Sequence, residues 1–319
     1  MKEIGGYIEL DSYHNLMLHE EAIKLNCAKN CLAYLIKKKS IKRIHLPIFI
    51  CDSIFDVCEE YGVEMLKYHI DNKFHPNIAE EVLSDDWIYL VNYYGQLPRE
   101  IVINYKNKYS NIILDNVQDY FADPIDGIDT FYSCRKFFGV ADGAILYTDI
   151  SLDEDIPFDV SYSRMGFLLG RYEKGASEFY QDYVNNNRQT RTAPILRMSK
   201  LTENLLHGID YVRVKNIRDN NFNYLHNLLQ KHNKIAITEP SGAFVYPFYY
   251  EKGMDLRKEL ISSQIYVPTL WPNVVNICGE CLEKDMAANI LPLPVDQRYS
   301  LDEMEYVAKH ILQYIERVE

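Results

Sequence analysis

Residues 111–148 read NIILDNVQDYFADPIDGIDTFYSCRKFFGVADGAILYT, and this stretch decides the fold. An apolar strand, Ile112 to Leu114, ends in an acid, Asp115. A second short strand, Thr130 to Tyr132, ends in Ser133, with Lys136 just beyond. A third, Ala144 to Tyr147, follows Gly143. In open α/β sheets, ligands sit in the crevice beyond the carboxyl ends of the strands. The stretch therefore predicts an acid, a hydroxyl and an amine along one edge. Pyridoxal phosphate (PLP) requires such a set: an acid for its ring nitrogen, donors for its phosphate and a lysine for its aldehyde.

Outward from this stretch, strand and helix patterns alternate. Glu20 to Lys39 has helical apolar spacing, at Ala22, Ile23, Leu25, Leu32, Leu35 and Ile36. Strands are predicted at Arg43 to Phe49, Val63 to Ile70 and Trp87 to Tyr93, with helices at Ser53 to Tyr61 and Arg99 to Tyr109. Such alternation predicts an α/β fold, with a mostly parallel central sheet flanked by helices. After Thr148 comes an acidic loop, then helices over Tyr172 to Asn187 and Ser199 to Lys231, the second broken near Gly208. Strand-like runs follow at Ile235 to Thr238, Ala243 to Tyr250 and Ile265 to Thr269, with helices at Met254 to Ser263 and Leu301 to Val318. The expected division is a large domain over 1–232 and a smaller C-terminal α/β domain over 233–319.

Composition narrows the function classes. The net charge of −12 argues against nucleic acid, which needs a basic face. The basic run Lys37 to Arg43 reads as a solvated helix end. The opening MKEIGGYIELD has no apolar signal core, and no apolar run reaches membrane-spanning length, so a cytoplasmic location is expected. The seven cysteines form no disulfide framework for a chain of this length, and reduced thiols are expected. Cys278-Gly-Glu-Cys281 has no second ligand pair at metal spacing, so no metal site is expected.

Lys136 is the candidate Schiff-base lysine, and a desolvated wall with a neighbouring Arg135 would lower its pKa. Asp115 is the candidate partner of the pyridinium nitrogen, with Gln118 three residues on and within reach of the cofactor or substrate. For the phosphate, Ser133 is one candidate, and the segment Asn26 to Asn30 is another, with Lys29 and Asn30 as side-chain donors. That second site requires the first helix to begin near Lys29; a helix starting at Glu20 would abolish it. Of Phe49, Ile50 and Cys51, one would lie against the ring face. Tyr93 and Tyr94, after the next strand, are aromatic candidates for the ring or the substrate.

With these residues in place, the chain resembles the fold type I PLP enzymes (the aspartate aminotransferase fold), and within them the DegT-type sugar aminotransferases. The resemblance rests on Ala28-Lys29-Asn30, on Asp115 with Gln118, on Ser133 with Lys136, and on Asp142-Gly143-Ala144. It covers residues 20–150 and is weaker over the last third. It implies a PLP-dependent aminotransferase moving an amino group, with glutamate the expected donor, to a keto acceptor such as a nucleotide-linked keto sugar in polysaccharide synthesis. It also implies a homodimer with a shared active site, in which Asn187, within Asn186-Asn187-Arg188, reaches the phosphate of the neighbouring subunit. A lysine at 136 speaks against the dehydratase relatives, which carry histidine there. Departures are the Cys27 to Asn30 stretch in place of a Ser-Gly-Thr loop, Asn116-Val117 in place of two alanines, and the lack of a Gly-Glu-Gly-Gly tail after the lysine. They leave the substrate class open. In the C-terminal stretch, Trp271 is a candidate specificity wall and Arg298 a candidate carboxylate ligand. A PLP-dependent lyase would use the same acid and lysine. A non-catalytic scaffold would account for the altered phosphate loop.

Overall fold

The computed structural model describes residues 4–79 and 81–318. The first half builds the sheet from β1 (Ile23–Leu25), β2 (Arg43–Pro47), β3 (Glu64–Ile70), β4 (Pro76–Asn77), β5 (Trp87–Val91), β6 (Ile112–Asp115), β7 (Asp129–Ser133) and β8 (Ala144–Tyr147). Helices α1 (Ala28–Lys39), α2 (Asp52–Glu60) and α3 (Arg99–Lys108) alternate with them. The sheet order is β1-β8-β7-β6-β5-β2-β3-β4. From β3 through β7 the neighbours are parallel, while β8 is antiparallel to both β7 and β1. Two reversals restore direction, so β1 runs with β6. The ends of β1, β5, β6 and β7 therefore share one edge with the start of β8.

Both faces of the sheet are covered, which is why its strands are near-continuous apolar runs. On β5, Ile88 and Leu90 join one core with Ile112, Leu114 and Val102. Tyr89 and Val91 face the other way, into the core built on α1 and α2 with Ile113, Phe131 and Leu146. Side chains alternate with period two, so one strand feeds two cores.

The stretch from Glu20 to Lys39 is not one helix. Ile23–Leu25 pair with Ala144–Leu146, and α1 begins only at Ala28. Lys24 bridges Glu20 at 3.1 Å and Glu203 at 2.8 Å, which favours the extended segment. The helical apolar spacing was real for α1 alone.

Beyond β8 lie α4 (Gly166–Glu173), α5 (Tyr180–Thr192), α6 (Lys200–His207) and α7 (Tyr211–Leu229). The break between α6 and α7 falls at Gly208, and the Asp210 side chain caps the new helix by accepting from Arg213 N. The C-terminal part holds β9 (Val245–Tyr249), α8 (Gly253–Ser262), α9 (Leu282–Asn289), β10 (Ile290–Pro294) and α10 (Leu301–Val318). On α10, Met304, Val307, Ala308, Ile311, Tyr314 and Ile315 form one apolar stripe. It closes a second core with α7, α8 and the ribbon of β9 and β10.

The expected strands at 235–238 and 265–269 do not form. Gln96 takes the backbone of Thr238 instead, its Oε1 accepting from Thr238 N at 2.7 Å and its Nε2 donating to Thr238 O at 2.8 Å. The strand partner of β9 is β10, with Pro292 opposite Pro247. A two-stranded ribbon consists only of edges, where proline is tolerated. Cys278 and Cys281 are disulfide-bonded, against the expectation of reduced thiols throughout, and the other five cysteines are free. Among the described residues, no helix is long and apolar enough to cross a membrane, and no cluster of metal-ligating side chains occurs.

Candidate active site

The candidate site lies at the edge shared by β1, β5, β6 and β7. Asp115, the last residue of β6, is buried. Its Oδ2 accepts from the Tyr89 hydroxyl at 2.7 Å and its Oδ1 from Val117 N at 2.9 Å. Burial raises its pKa, and the charge of Lys136 draws it back down. A carboxylate offers about four acceptor sites, which two donors do not use up, so it retains lone pairs for a further N–H.

The chain after Asp115 turns tightly. Gln118 is buried, and its Oε1 accepts from Tyr94 N at 2.7 Å. Tyr94 has φ 55°, a left-handed conformation in which its N–H is free for a side chain. Gln118 thus pins the turn after β5. Asn92 joins the same turn to Asp119, donating to its Oδ2 at 3.0 Å. Burial lifts the Asp119 carboxyl to about 7.

Lys136 closes the 3-10 turn Cys134–Lys136 after β7. Its side chain is exposed, yet enough protein surrounds it that desolvation lowers its pKa; Arg135 acts in the same direction and Asp115 against it. Its Nζ lies 5.6 Å from the centre of the Phe244 ring and makes no hydrogen bond or salt bridge among the described residues. The turn is clamped from the C-terminal part. Phe137 O accepts from Gln297 Nε2 at 2.7 Å and from Arg218 Nη2 at 3.2 Å. The buried Arg218 also donates to Ala243 O at 2.8 Å and to Gln297 Oε1 at 2.8 Å. Arg218 and Gln297 escaped the sequence reading. A mid-helix arginine has no local signature, because its acceptors lie in three distant segments.

Glycine is required at Gly143, with φ 114° and an added Cβ only 3.0 Å from Thr202 Cγ2. Its neighbour Asp142 is buried and accepts from Ser199 N and Ser199 Oγ, each at 2.7 Å, and from Thr202 Oγ1. The Asp142-Gly143-Ala144 motif thus anchors the start of α6 beside the lysine turn.

The N-terminus of α1 opens on the same edge. No side chain caps it, and its first turn holds no acid. The Lys29 and Asn30 side chains, at the start of this helix, are hydrogen-bonded within the chain. Lys29 Nζ donates to Ala193 O at 3.0 Å, and Asn30 Nδ2 to Pro194 O at 2.6 Å. Both fasten the segment after α5. Asn187, on α5, accepts from Arg135 Nη2 of its own chain at 2.5 Å. The Ser133 hydroxyl makes no hydrogen bond among the described residues.

The aromatic candidates are placed differently from their sequence reading. Phe49 is fully buried, with the Trp271 ring tilted against it at a centroid distance of 4.4 Å. Tyr93 is also buried, donating to Phe49 O at 2.5 Å. Neither offers a free face. Of Phe49, Ile50 and Cys51, only Cys51 is exposed, and it is near enough to Lys136 and Tyr89 to act on both electrostatically. Cys51 therefore supplies the open surface beside the acid and the lysine. Trp271, besides covering Phe49, lines a cleft of about 200 Å³ with Cys51, Ser53 and Arg191. Arg298 is held in a two-pronged pair by Asp296, at 2.6 and 2.8 Å, so its guanidinium is already answered within the chain.

The residues present fit PLP: a lysine amine without a hydrogen-bonded partner, a buried carboxylate acting on it, a free hydroxyl and an uncapped helix start along one sheet edge. Neither a family model nor a curated protein matches the sequence. Solved structures do match. A DegT-type aminotransferase from Brucella abortus is 14% identical with a TM-score of 0.62, covering 92% of this chain and 85% of its own. A sugar aminotransferase from Micromonospora echinospora is 13% identical with a TM-score of 0.62, covering 92% and 87%. The GDP-4-keto-6-deoxy-D-mannose-3-dehydratase of E. coli, solved with hydrated PLP, is 14% identical with a TM-score of 0.61, covering 91% and 87%. The chain has the fold of these proteins along nearly its whole length.

Proposed function

We propose that the chain is a PLP-dependent aminotransferase, taking an amino group from an amino acid such as glutamate to a keto acceptor of the nucleotide-linked keto-sugar class. One observation carries this reading. The Lys136 amine stands unpaired at the strand edge where Asp115 is buried, and each charge shifts the other. When bound, the cofactor would supply the electron sink that stabilises negative charge at the substrate's Cα.

The chain's own groups account for the rest. Desolvation raises the share of neutral amine at Lys136 Nζ, which suits it to take a proton and return it. The Phe244 ring shields one side of that amine from water. Arg218 and Gln297 hold Phe137 O and so restrict the turn that carries it. Asp115 offers its remaining lone pairs to a ring N–H, with Tyr89 fixing the carboxylate's orientation. The dehydratase among the structural neighbours shares the fold, and the lysine at 136 supports transamination over that chemistry.

A second copy would cover the apolar surface of the middle segment, where Leu169, Tyr172 and Tyr180 are 63%, 93% and 63% exposed. A dimer by light scattering is the expected result.

The test is an absorption spectrum of the purified protein with PLP, before and after glutamate. A new visible band that is absent in Lys136→Ala, and that glutamate discharges, supports the reading. A band that glutamate leaves unchanged supports a different PLP reaction. Absence of any band in the wild type overturns it.

A further inference from the structure

Arg135 lies between Ser133 and Lys136, and the structure leaves its charge unanswered. Its Nε is fully enclosed and has no hydrogen-bond partner. Among the described residues no carboxylate forms a salt bridge with it, and its one hydrogen bond goes to the neutral Asn187 Oδ1. Enclosing an arginine without a counter-ion is costly, because the lost hydration is not replaced. Its surroundings do not relieve this. Arg164 adds a like charge and is itself paired with Asp159 at 2.7 Å. The one acid that acts on Arg135, Asp142, spends its oxygens on Ser199 and Thr202. Tyr183 and Cys27 are its other titratable neighbours, and neither is a carboxylate.

Cys27 is the residue before α1; its Sγ lies 3.9 Å from Thr190 O on α5, one turn from the Asn187 that holds the guanidinium, so Arg135 lies within electrostatic range of the open start of that helix. The α1 N-terminus brings backbone N–H donors and the positive end of the helix dipole. Ser133, two residues before Arg135, brings a hydroxyl without a partner. The three groups share the sheet edge and all can donate, and Asp142, the acid that acts on Arg135, is already committed to Ser199 and Thr202. Such a set is complementary to a dianion.

We propose that Arg135 is the side-chain anchor for the cofactor's phosphate, acting with the N-terminus of α1 and the Ser133 hydroxyl, and that Asn187 positions its guanidinium. This rests on the PLP reading above. It assigns to Arg135 a task for which Lys29 and Asn30 were the sequence candidates; their side chains are hydrogen-bonded to Ala193 O and Pro194 O. A planar guanidinium can grip two phosphate oxygens at once.

The experiment compares PLP with pyridoxal, which lacks the phosphate, by equilibrium binding to the full-length chain, Arg135→Met and Arg135→Lys. The expected result is a loss of PLP affinity of about 30-fold in Arg135→Met, a smaller loss in Arg135→Lys, and pyridoxal affinity unchanged within about twofold in both. Equal losses for both ligands, or none for either, overturn the proposal. Thermal unfolding with inorganic phosphate, without cofactor, gives an independent readout. Phosphate is expected to raise the melting temperature of the wild type and not of Arg135→Met, which should itself melt no lower than the wild type without phosphate. A phosphate shift retained in Arg135→Met overturns the assignment. If the wild type binds neither PLP nor pyridoxal, the functional reading falls, and the phosphate melt still decides whether Arg135 forms an anion site.

Discussion

The edge of the large sheet and the C-terminal stretch from Trp271 to Arg298 are built from similar side chains, and they use them in opposite ways. At the sheet edge, Lys136, Ser133 and Arg135 Nε keep donors that no protein group accepts. In the C-terminal stretch the side chains singled out from the sequence are committed within the chain. Arg298 is gripped by Asp296, Gln297 holds Phe137 O, and Trp271 lies on Phe49. Unspent polar groups in enclosed places raise the energy of the empty protein, and a ligand that satisfies them binds the more tightly for it. The comparison separates a surface that keeps uncommitted donors from one whose contacts hold the first in shape.

Removing the least-answered group should have the largest effect. Lys136→Ala is expected to lower the transamination rate by about a thousandfold, at little cost in stability. Half-transamination with glutamate, followed by absorbance, checks it. A variant within tenfold of the wild type would break the comparison, because the edge would then hold no dedicated proton carrier.

Asp119 tests the edge through pH. Its folded pKa of about 7 lies above the ordinary 3.8 of an aspartate. The folded state keeps a proton that the unfolded chain has released, so stability should fall as pH rises from about 4 towards 7. Asp119→Asn removes this penalty. It should unfold at higher temperature than the wild type, by a margin that grows with pH, levels off above about 7 and is worth at most about 4 kcal/mol. Melting curves at a series of pH values check this; a margin independent of pH would contradict it.

Arg218 belongs to the locking side. Arg218→Ala removes donors from Phe137 O, Ala243 O and Gln297 Oε1 and opens a cavity. A loss of about 3 kcal/mol in denaturant unfolding is expected. The smallest effect should come from Arg298→Ala. That pair is half exposed on the arginine side, with Arg298 at 52%, and such pairs contribute about 1 kcal/mol or less. A large rise in the Michaelis constant for the donor, with stability unchanged, would show instead that Asp296 yields Arg298 to a substrate carboxylate.

Much of the sheet was legible because its signal is local. Ile112, Ile113 and Leu114 followed by Asp115 mark a buried strand and its end, whatever the rest of the chain does. The stretch before α1 was not legible. Ile23 and Leu25 satisfy a helical spacing as well as a strand, and only pairing with Leu146 and Ala144 decides between them. Phe49 and Tyr93 read as cleft aromatics because they follow strands, but covering by Trp271, more than two hundred residues away from Phe49, turns them into core.

By itself, the sequence determined which strands form the parallel core of the sheet and that an acid, a hydroxyl and an amine end up beyond them, because hydrophobic period and strand ends are properties of neighbouring residues. Only the tertiary structure decided which polar groups stay free. That depends on partners brought from afar: Ala193 and Pro194 take Lys29 and Asn30, Asp296 takes Arg298, and nothing takes the Nε of Arg135. A side chain's capacity to bind is what remains after the fold has used it, and no local pattern records that remainder.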